Sequence, residues 1–285
     1  MLAVGDGGVD VASLNGVEVV FNLVESPPGR PGFQVEAATA FEDLGLKITG
    51  SCADVIRATT DKHVTRLTLA KHGVAVAPGV LLDPNHPELL DNVPPPWILK
   101  PALEDASLGL NGDAVASDLP HAVSRARRLQ SEFPGQGVLV EHLLPGREFN
   151  ISVLADGAGI EILPPAEMTF VDFPPERPRI LDWQAKWEET SFAYRNTVRV
   201  FLDGFEPPLR ERLEGVAHAA WSACRLAGYG RVDIRLDENG VPCVLEVNAN
   251  PCLSSNAGFA AAVREAGYNS SDLVLRILAA AGWTP

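Results

Sequence analysis

Two short segments of alternating polar and apolar residues, 231–236 and 241–247, restrict the fold more than any other part of the sequence. The turn sequence Asp-Glu-Asn-Gly lies between them, and this combination is typical of a β-hairpin. Because side chains alternate between the two faces of a strand, one face is expected to be apolar and to pack on a core. That face is expected to comprise Val232, Ile234, Leu236, Cys243, Leu245 and Val247. The hairpin is therefore expected to pack on a core through this face.

The opposite face of the hairpin is polar. With a loop of two or four residues, the register places Asp233, Glu246 and Asn248 on one side, with Arg231 beside them. Carboxylate and amide oxygens are hard ligands that suit Mg²⁺, and an arginine suits a phosphate oxygen. A solvated strand face with cross-strand ion pairs explains the same pattern equally well. From the residues alone, both interpretations stay open.

Composition narrows the class of protein. The chain has 285 residues, of which 46% are hydrophobic and 21% charged, which is typical of a globular protein with two or three small domains. The net charge of −14 excludes a general binder of nucleic acid but not a phosphate ligand held by a few basic groups in a cleft. The sequence contains no run of 18 apolar residues, so no membrane-spanning helix is predicted. The four cysteines have no zinc spacing and follow no secretory signal, which favours reduced thiols in a cytoplasmic protein.

Helical and strand patterns alternate along the chain and predict an α/β (α+β) fold. Besides the hairpin, strands are expected at 17–23, 48–49, 97–100, 137–141, 149–154 and 159–163. Helices are expected at 33–44, 60–72, 120–133, 208–226, 257–266 and 271–280, the second of them capped by Thr60. The proline-rich segment 164–180 is expected to be a surface loop.

Residues 228–251, which contain the hairpin, resemble the metal-binding end of D-alanine–D-alanine ligases of the ATP-grasp superfamily. Five further segments match the family in the same order: ITGS at 48–51, TDK at 60–62, ILKPALEDASLGL at 98–110, VLVEHLLPGREFNISVL at 138–154 and WQAKW at 183–187. Each motif is weak alone, whereas six in order are specific. The resemblance implies a partial Rossmann-like domain (1–52) followed by two ATP-grasp subdomains that clasp ATP (53–141 and 142–285), the second with the Mg²⁺ site.

The resemblance implies that ATP and Mg²⁺ are bound, with two metal ions expected and Mn²⁺ as an alternative. It assigns the phosphates to lysines, the adenine to a hinge segment and the ribose to a carboxylate. These are, respectively, Lys62, Lys100 and Lys186; Glu141, Leu143 and Leu144; and Glu148. A solvated surface lysine is the commoner fate of any single one of these lysines.

At the reacting centre, the resemblance assigns charge stabilisation to Arg231 and the metal ligands to Asp233, Glu246 and Asn248. Residues 103–112 match the flap over the phosphates, in which Ser107 and Gly109 are expected to offer backbone N–H groups; a plain turn is the alternative. Ala106, Trp187 and Cys252 depart from the family, which has serine, tyrosine and glycine there. Substrate contacts are expected from Trp187, Cys252, Ser254 and Ser255.

The implied activity is ligation of an amino acid's carboxylate to another's amine through an acyl phosphate, with D-alanine as the expected substrate. The family suggests peptidoglycan (cell-wall) synthesis, and a role in a secondary pathway stays open. Segments 103–112 and 164–190 are the expected lids. The partners are small-molecule amino acids, with neither nucleic acid nor membrane, and relatives suggest a homodimer. The family's early glycine-rich loop has no match, and Glu25 is the nearest acid, so the first domain is expected to be truncated. A ligase with other substrates and a non-catalytic nucleotide-binding module are the alternatives.

Overall fold

The computed structural model describes residue 14 and residues 16–157, 159–201 and 207–283 of the chain. Its helices are α1 (Phe33–Asp43), α2 (Ala53–Thr60), α3 (Lys62–Lys71), α4 (Leu119–Glu132), α5 (Trp183–Trp187), α6 (Phe192–Asn196), α7 (Pro207–Cys224), α8 (Gly258–Glu265) and α9 (Ser270–Ala280). Its strands are β1 (Val19–Val20), β2 (Lys47–Ile48), β3 (Gly79–Leu82), β4 (Trp97–Pro101), β5 (Val115–Ala116), β6 (Val138–His142), β7 (Glu148–Asp156), β8 (Gly159–Ile162), β9 (Ala166–Phe170), β10 (Thr197–Phe201), β11 (Tyr229–Leu236) and β12 (Pro242–Asn248). The mixture confirms the α/β (α+β) class. None of the described helices is long and apolar enough to cross a membrane.

A six-stranded antiparallel sheet forms the larger half of the fold. Its strand order is β10-β9-β7-β11-β12, with β8 paired to the far end of β7. Apolar residues of β7 and β11 such as Ile151, Val232 and Ile234 pack on Leu213 and Ala217 of α7. Burying side chains of this size stabilises the fold by roughly 1.5–3 kcal/mol each relative to leaving them exposed. The sheet is therefore anchored on one face, and its other face carries the polar residues.

A four-stranded antiparallel sheet forms the smaller half, in the order β3-β6-β4-β5. It packs on α4 through a core that includes Leu99, Val140, Ala126 and Leu129. The side chain of Asp118 accepts a hydrogen bond from His121 N and caps this helix. The polar ends of β4 and β6 face the polar side of the larger sheet, and the cleft between them holds the candidate site.

The N-terminal segment forms the expected end of a βαβ unit, because β1 and β2 pair in parallel around α1. The predicted strand 17–23 is wrong in length, since β1 has two residues. After β1, backbone groups of the chain form hydrogen bonds with side chains and not with a neighbouring strand. Asn22 N donates to Thr49 Oγ1, and Val24 O accepts from Asn250 Nδ2. The predicted domain bounds, the first of which starts outside the described residues, remain a prediction.

Two further predictions are wrong. Thr60 does not cap α3, because it is the last residue of α2; the side chain of Asp61 caps α3 instead, accepting from the backbone N–H groups of His63 and Val64. Segment 164–180 is not simply a surface loop, because it contains β9, which pairs with both β7 and β10. Prolines precede and follow this short strand and hide it in a proline-rich composition.

The hairpin has the predicted register at its open end, where Arg231 pairs with Asn248 and Asp233 with Glu246. A β-bulge then interrupts the ladder, because Ile234 pairs with Val244 and leaves Leu245 as the extra residue. The predicted apolar face is consequently wrong on the second strand. Val247 lies in the α7 core, but so does Val244, whereas Cys243 and Leu245 pack with Ala77 and Leu144 on the other side.

Candidate active site

One cleft between the two sheets collects most of the residues singled out in the sequence. Ten of them line it: Lys62, Lys100, Ser107, Glu141, Leu143, Leu144, Glu148, Lys186, Asp233 and Glu246. They come from the first turn of α3, from β4 and the loop after it, from β6 and the segment after it, from α5, and from β7, β11 and β12. Arg231 and Asn248 flank this group on the hairpin. Trp187, Cys252, Ser254 and Ser255 lie outside the residues that line the cleft.

The floor of the cleft, defined as the polar face formed by residues 148–152, 231–235 and 246–248, presents clustered oxygen atoms. Arg231 binds Asp233 in a fork, with Nε–Oδ1 2.7 Å and Nη2–Oδ2 2.9 Å, and Asn150 Nδ2 donates to the same Oδ1 at 2.9 Å. Glu246 lies directly across from Asp233 in the hairpin register. Two charge-assisted bonds and the opposing strand therefore hold Asp233 toward Glu246.

Glu246 faces several cations across the cleft. Among the described residues it has no hydrogen bond and no ion pair within 4.0 Å. Burial alone would raise the pKa of its carboxyl, but the charges of Lys62, Lys186, Arg231 and Lys100 lower the pKa. Glu246 is therefore an ionised carboxylate that keeps its oxygens available for a ligand.

The oxygens of Asp233, Glu246 and Asn248 fit a hard divalent cation such as Mg²⁺. Directly opposed residues of an antiparallel pair have Cβ atoms about 4.5–5.5 Å apart, which allows two neighbouring carboxylates to share one ion. Asn248 Oδ1 also accepts from Asn250 N at 2.9 Å, which orients the amide. Among the described residues, no group of three or more His, Cys, Asp or Glu side chains is arranged to hold a metal. This set has two carboxylates and one amide.

Three lysines approach the floor from the opposite wall and from the side. Lys62 Nζ contacts the carbonyl oxygen of Glu104 and lies 3.7 Å from Asp105 Oδ1. Lys100 Nζ lies 2.6 Å from Glu141 Oε2. Lys186 is partly buried; burial lowers its pKa, and the carboxylate of Glu246 opposes that effect. Lys62 and Lys100 are thus buried beside the cleft, and each already contacts a carboxylate: Asp105 for Lys62 and, at shorter distance, Glu141 for Lys100.

A buried ion pair between Arg235 and Glu148 lies at the inner end of the cleft, and the sequence analysis did not predict it. Arg235 Nη1 donates to Glu148 Oε2 at 3.1 Å, and its Nε donates to Gly146 O. Both side chains are under 10% exposed. Burial raises the pKa of Glu148, and the charge of Arg235 opposes that shift. The alternation of Arg231, Asp233 and Arg235 on one strand face was the available signal.

The hinge segment after β6 offers one backbone donor. Leu143 N donates to Pro96 O at 2.8 Å and His142 N to Pro78 O at 2.8 Å. Leu144 N has no partner among the described residues. Apolar side chains, including those of Ile98, Ile180 and Leu245, line the space beside the hinge. Leu245 reaches the cleft only because of the bulge, which sequence alternation could not show.

The lid, defined as residues 103–112 together with 180–191, closes over the cleft by contacts between its two parts. Ser107 Oγ donates to Leu181 O at 2.6 Å, Trp183 N donates to Leu110 O at 3.0 Å, and Trp187 Nε1 donates to Ala106 O at 3.0 Å. Ala106 and Ser107 have φ angles of 57° and 62°. This left-handed backbone is costly for residues other than glycine, so the contacts across the lid help to hold the turn.

The loop after the hairpin is hydrogen-bonded within itself. Cys252 Sγ lies 3.1 Å from Ser254 Oγ, which donates to Asn256 Oδ1 at 3.0 Å. Ser255 O accepts from Arg264 Nη1 at 2.8 Å. All four cysteines are free thiols, as the sequence predicted. The predicted substrate contacts of this loop and of Trp187, which is 54% exposed, remain predictions.

A model of the family described as D-ala D-ala ligase C-terminus matches residues 84–279, more than half of the chain. A protein of Sinorhizobium fredii (strain NBRC 101917 / NGR234), described as uncharacterized protein y4sG, is 30% identical over 260 residues. The match covers 91% of this chain and 73% of that protein.

Solved structures show the same architecture. A D-alanine–D-alanine ligase from Bacillus anthracis complexed with ATP is similar with a TM-score of 0.75 and 19% identity, over 95% of this chain and 81% of that one. The D-alanine–D-alanine ligase from Coxiella burnetii is similar with a TM-score of 0.72 and 17% identity, over 99% of this chain and 73% of that one. These likenesses confirm the expected fold of the ATP-grasp type.

Proposed function

This chain belongs to the D-ala D-ala ligase C-terminus family, and we propose that it is an ATP-dependent carboxylate–amine ligase that forms a dipeptide through an acyl phosphate. D-Alanine is the substrate that the family description favours. The observation that carries the proposal is the meeting of Lys62, Lys100 and Lys186 with Asp233 and Glu246 in one cleft. A cleft that presents cations to phosphates and carboxylates to a metal is suited to phosphoryl transfer.

The nucleotide would lie along the cleft from hinge to floor. The free Leu144 N–H and the apolar surface that includes Ile180 and Leu245 suit a flat base. Glu148, fixed by Arg235, suits ribose hydroxyls. The triphosphate would then extend toward Lys100 and Lys62, whose ammonium groups would exchange their contacts with Glu141 and Asp105 for phosphate oxygens.

The first chemical step would be attack of a substrate carboxylate on the γ-phosphate, which gives an acyl phosphate and ADP. Arg231 and Lys186 lie where they would neutralise charge on the transferring group. Asp233, Glu246 and Asn248 would hold Mg²⁺, and Mn²⁺ or a second ion in the same donor set is compatible with these ligands. The bound ion would supply neutralisation of phosphate charge. The remaining contribution of the protein is positioning.

The second step would be attack of an amine on the acyl carbon, with release of phosphate. An acyl phosphate hydrolyses readily, so water must be kept out while the amine binds. The lid performs this exclusion, because its two parts close on each other through Ser107 and Trp187. The backbone N–H of Cys252 is the candidate donor to the tetrahedral intermediate.

Phosphate release with Mg·ATP across a panel of D- and L-amino acids tests the proposal. Release with D-alanine, together with a D-alanyl-D-alanine product, supports it. Release only with other acids selects a related ligase, which Ala106, Trp187 and Cys252 favour because they alter the groups around the substrate. Nucleotide binding without turnover by the folded protein would contradict ligase activity and select a non-catalytic nucleotide-binding module.

A further inference from the structure

Arg199, on β10, is a cation that the proposed chemistry does not use and that has no acidic partner among the residues that the structure describes. Among the described residues it forms no ion pair and no side-chain hydrogen bond, and its Nε is buried without a partner. Burial lowers the pKa of its guanidinium, and the charges of Arg231 and Arg264 lower it further. A partly buried arginine surrounded by like charges is unfavourable unless an anion joins it.

The sheet register places Arg199 on the same face as the floor. Arg199 pairs with Met168, Met168 with Glu148, and Glu148 with Arg235, and directly opposed residues project from the same side of a sheet. Arg199 therefore points to the side on which the cleft lies rather than into the α7 core.

The first turn of α8 faces the same guanidinium. A Cβ built on Gly258 would lie 3.4 Å from Arg199 Nη2 and 3.6 Å from its Cζ. Among the described residues, no side chain caps this helix, whose N-cap residue is Ala257. Unpaired N–H groups and the positive end of the helix dipole attract anions and repel a guanidinium. The arrangement thus places three sources of positive potential together: Arg199, Arg264 and the helix terminus.

The neighbouring loop connects this positive region to the reacting centre. Arg264 Nη1 holds Ser255 O at 2.8 Å, and Ser255 belongs to the loop that follows the hairpin ligands. Arg231, the other arginine that acts on Arg199, is bound to Asp233 on the floor. In contrast, the hydroxyl of Ser254 is engaged by Asn256. The arginines are therefore better placed than Ser254 to take a charged group.

We propose that Arg199, together with Arg264 and the first turn of α8, forms the site that holds the carboxylate of the amine-donating substrate. The site would make Arg199 a specificity-determining residue that selects amino acids over amines without a carboxylate. This inference rests on the proposed ligase function for its substrate and on the described contacts for its anion.

The kinetic test compares an amino acid that supports turnover with its carboxamide as amine donor. In the unchanged protein, kcat/KM should favour the acid. Arg199→Gln should lower this preference at least about 10-fold, since a hydrogen bond to a charged group contributes on the order of 10- to 100-fold, while KM for ATP stays unchanged. Arg199→Lys should retain part of the preference. Arg195→Gln, which removes an exposed arginine four residues earlier, is the matched control and should behave as the unchanged protein.

A second measurement does not need turnover. Side-chain Nε–H resonances of arginine are followed while sodium acetate is added at constant ionic strength, with ADP and Mg²⁺ filling the nucleotide cleft. The resonance that disappears in Arg199→Gln should shift saturably in the unchanged protein. The ligand-free variant should melt at the same temperature or higher, because it loses an unpaired cation, whereas a structural arginine would lower the melting temperature when replaced.

The outcomes separate the two proposals. Turnover with an unchanged preference in Arg199→Gln overturns the carboxylate site and leaves the ligase function standing. A saturable acetate shift without turnover by any amino acid supports the anion site and contradicts the ligase. The absence of an acetate shift, or a large loss of stability in Arg199→Gln, overturns the inference.

Discussion

The floor and the lid of the cleft are built in contrasting ways. The floor residues Asp233 and Arg231 lie in a strand paired on both sides, by β7 and by β12, and its opposite face is buried on α7. The lid parts meet through three hydrogen bonds between otherwise separate loops, with Ala106 and Ser107 in left-handed backbone. The fixed charges of the floor therefore lie where the backbone is most constrained, whereas the two parts of the lid are joined by fewer contacts, which opening would have to break.

The largest expected effect lies at the inner end of the floor. Arg235→Met leaves Glu148 buried without its cation, and loss of one partner of a buried pair costs about 3–5 kcal/mol of unfolding free energy. Urea unfolding measures this change. The double variant Arg235→Met with Glu148→Gln should recover most of it. A single variant as stable as the unchanged protein would show that the floor is not rigidified by this pair.

The second largest effect is expected when the carboxylate of Glu246 is removed. Glu246→Gln should lower Mg·ATP-dependent phosphate release by about 10²–10³-fold, the usual effect of removing one group that stabilises transition-state charge. Glu238→Gln, at the exposed turn of the same hairpin, is the control and should leave the rate unchanged. Equal rates for the two variants would remove Glu246 from the proposed chemistry.

The carboxylate of Glu246 should also make the unfolding free energy depend on pH, in a direction that its pKa shift determines. The cations around Glu246 lower its pKa in the folded protein, so its ionised form contributes stability above the unfolded-state pKa. That contribution is lost as the pH falls below about 4.5 and through the lower, folded-state pKa. The difference in unfolding free energy between the unchanged protein and Glu246→Gln should therefore be present at neutral pH and shrink on acidification. A difference that grows on acidification would show that the pKa of Glu246 is raised, not lowered, in the folded protein.

The smallest expected effect is at the lid. Trp187→Phe removes the bond from Nε1 to Ala106 O, which contributes about 1 kcal/mol, or roughly five-fold in lid closure. Phosphate released per dipeptide formed should rise, because water reaches the acyl phosphate more often. Trp183→Phe, in which only the backbone N–H binds the flap, should leave this ratio unchanged. A matching rise in both variants would mean that ring size rather than the hydrogen bond holds the lid.

The same contrast separates what the sequence predicted from what it did not. The hairpin register depends on local alternation and a recognisable turn, and the pairing of Asp233 with Glu246 confirms it. The bulge at Leu245 depends on packing against Ala77 and Leu144, residues far away in sequence, and no local pattern shows it. The resemblance to a family predicted most of the residues that line the cleft. It did not predict the role of Arg235, which the sequence shows only as a charged residue on a strand.

The contacts of the lid were even harder to predict from local sequence. Its segment 180–191 is held by hydrogen bonds to the flap, such as Ser107 Oγ to Leu181 O, and by apolar contacts of Ala185 with Phe173 and Ala193. Thr60 and Asp61 are both good caps, and the choice between them depends on where α2 ends. Such choices are decided by tertiary contacts, which outweigh local preference.

The proposed ligase function requires one cleft in which lysines and oxygen ligands hold a metal-bound triphosphate. Crystals grown with Mn²⁺ and a non-hydrolysable β,γ-imido ATP analogue, measured at an anomalous wavelength for manganese, test it directly. We expect manganese between Asp233, Glu246 and the analogue's phosphates, with Lys62 and Lys100 contacting phosphate oxygens. Manganese elsewhere, or phosphates bound away from these lysines, would contradict it.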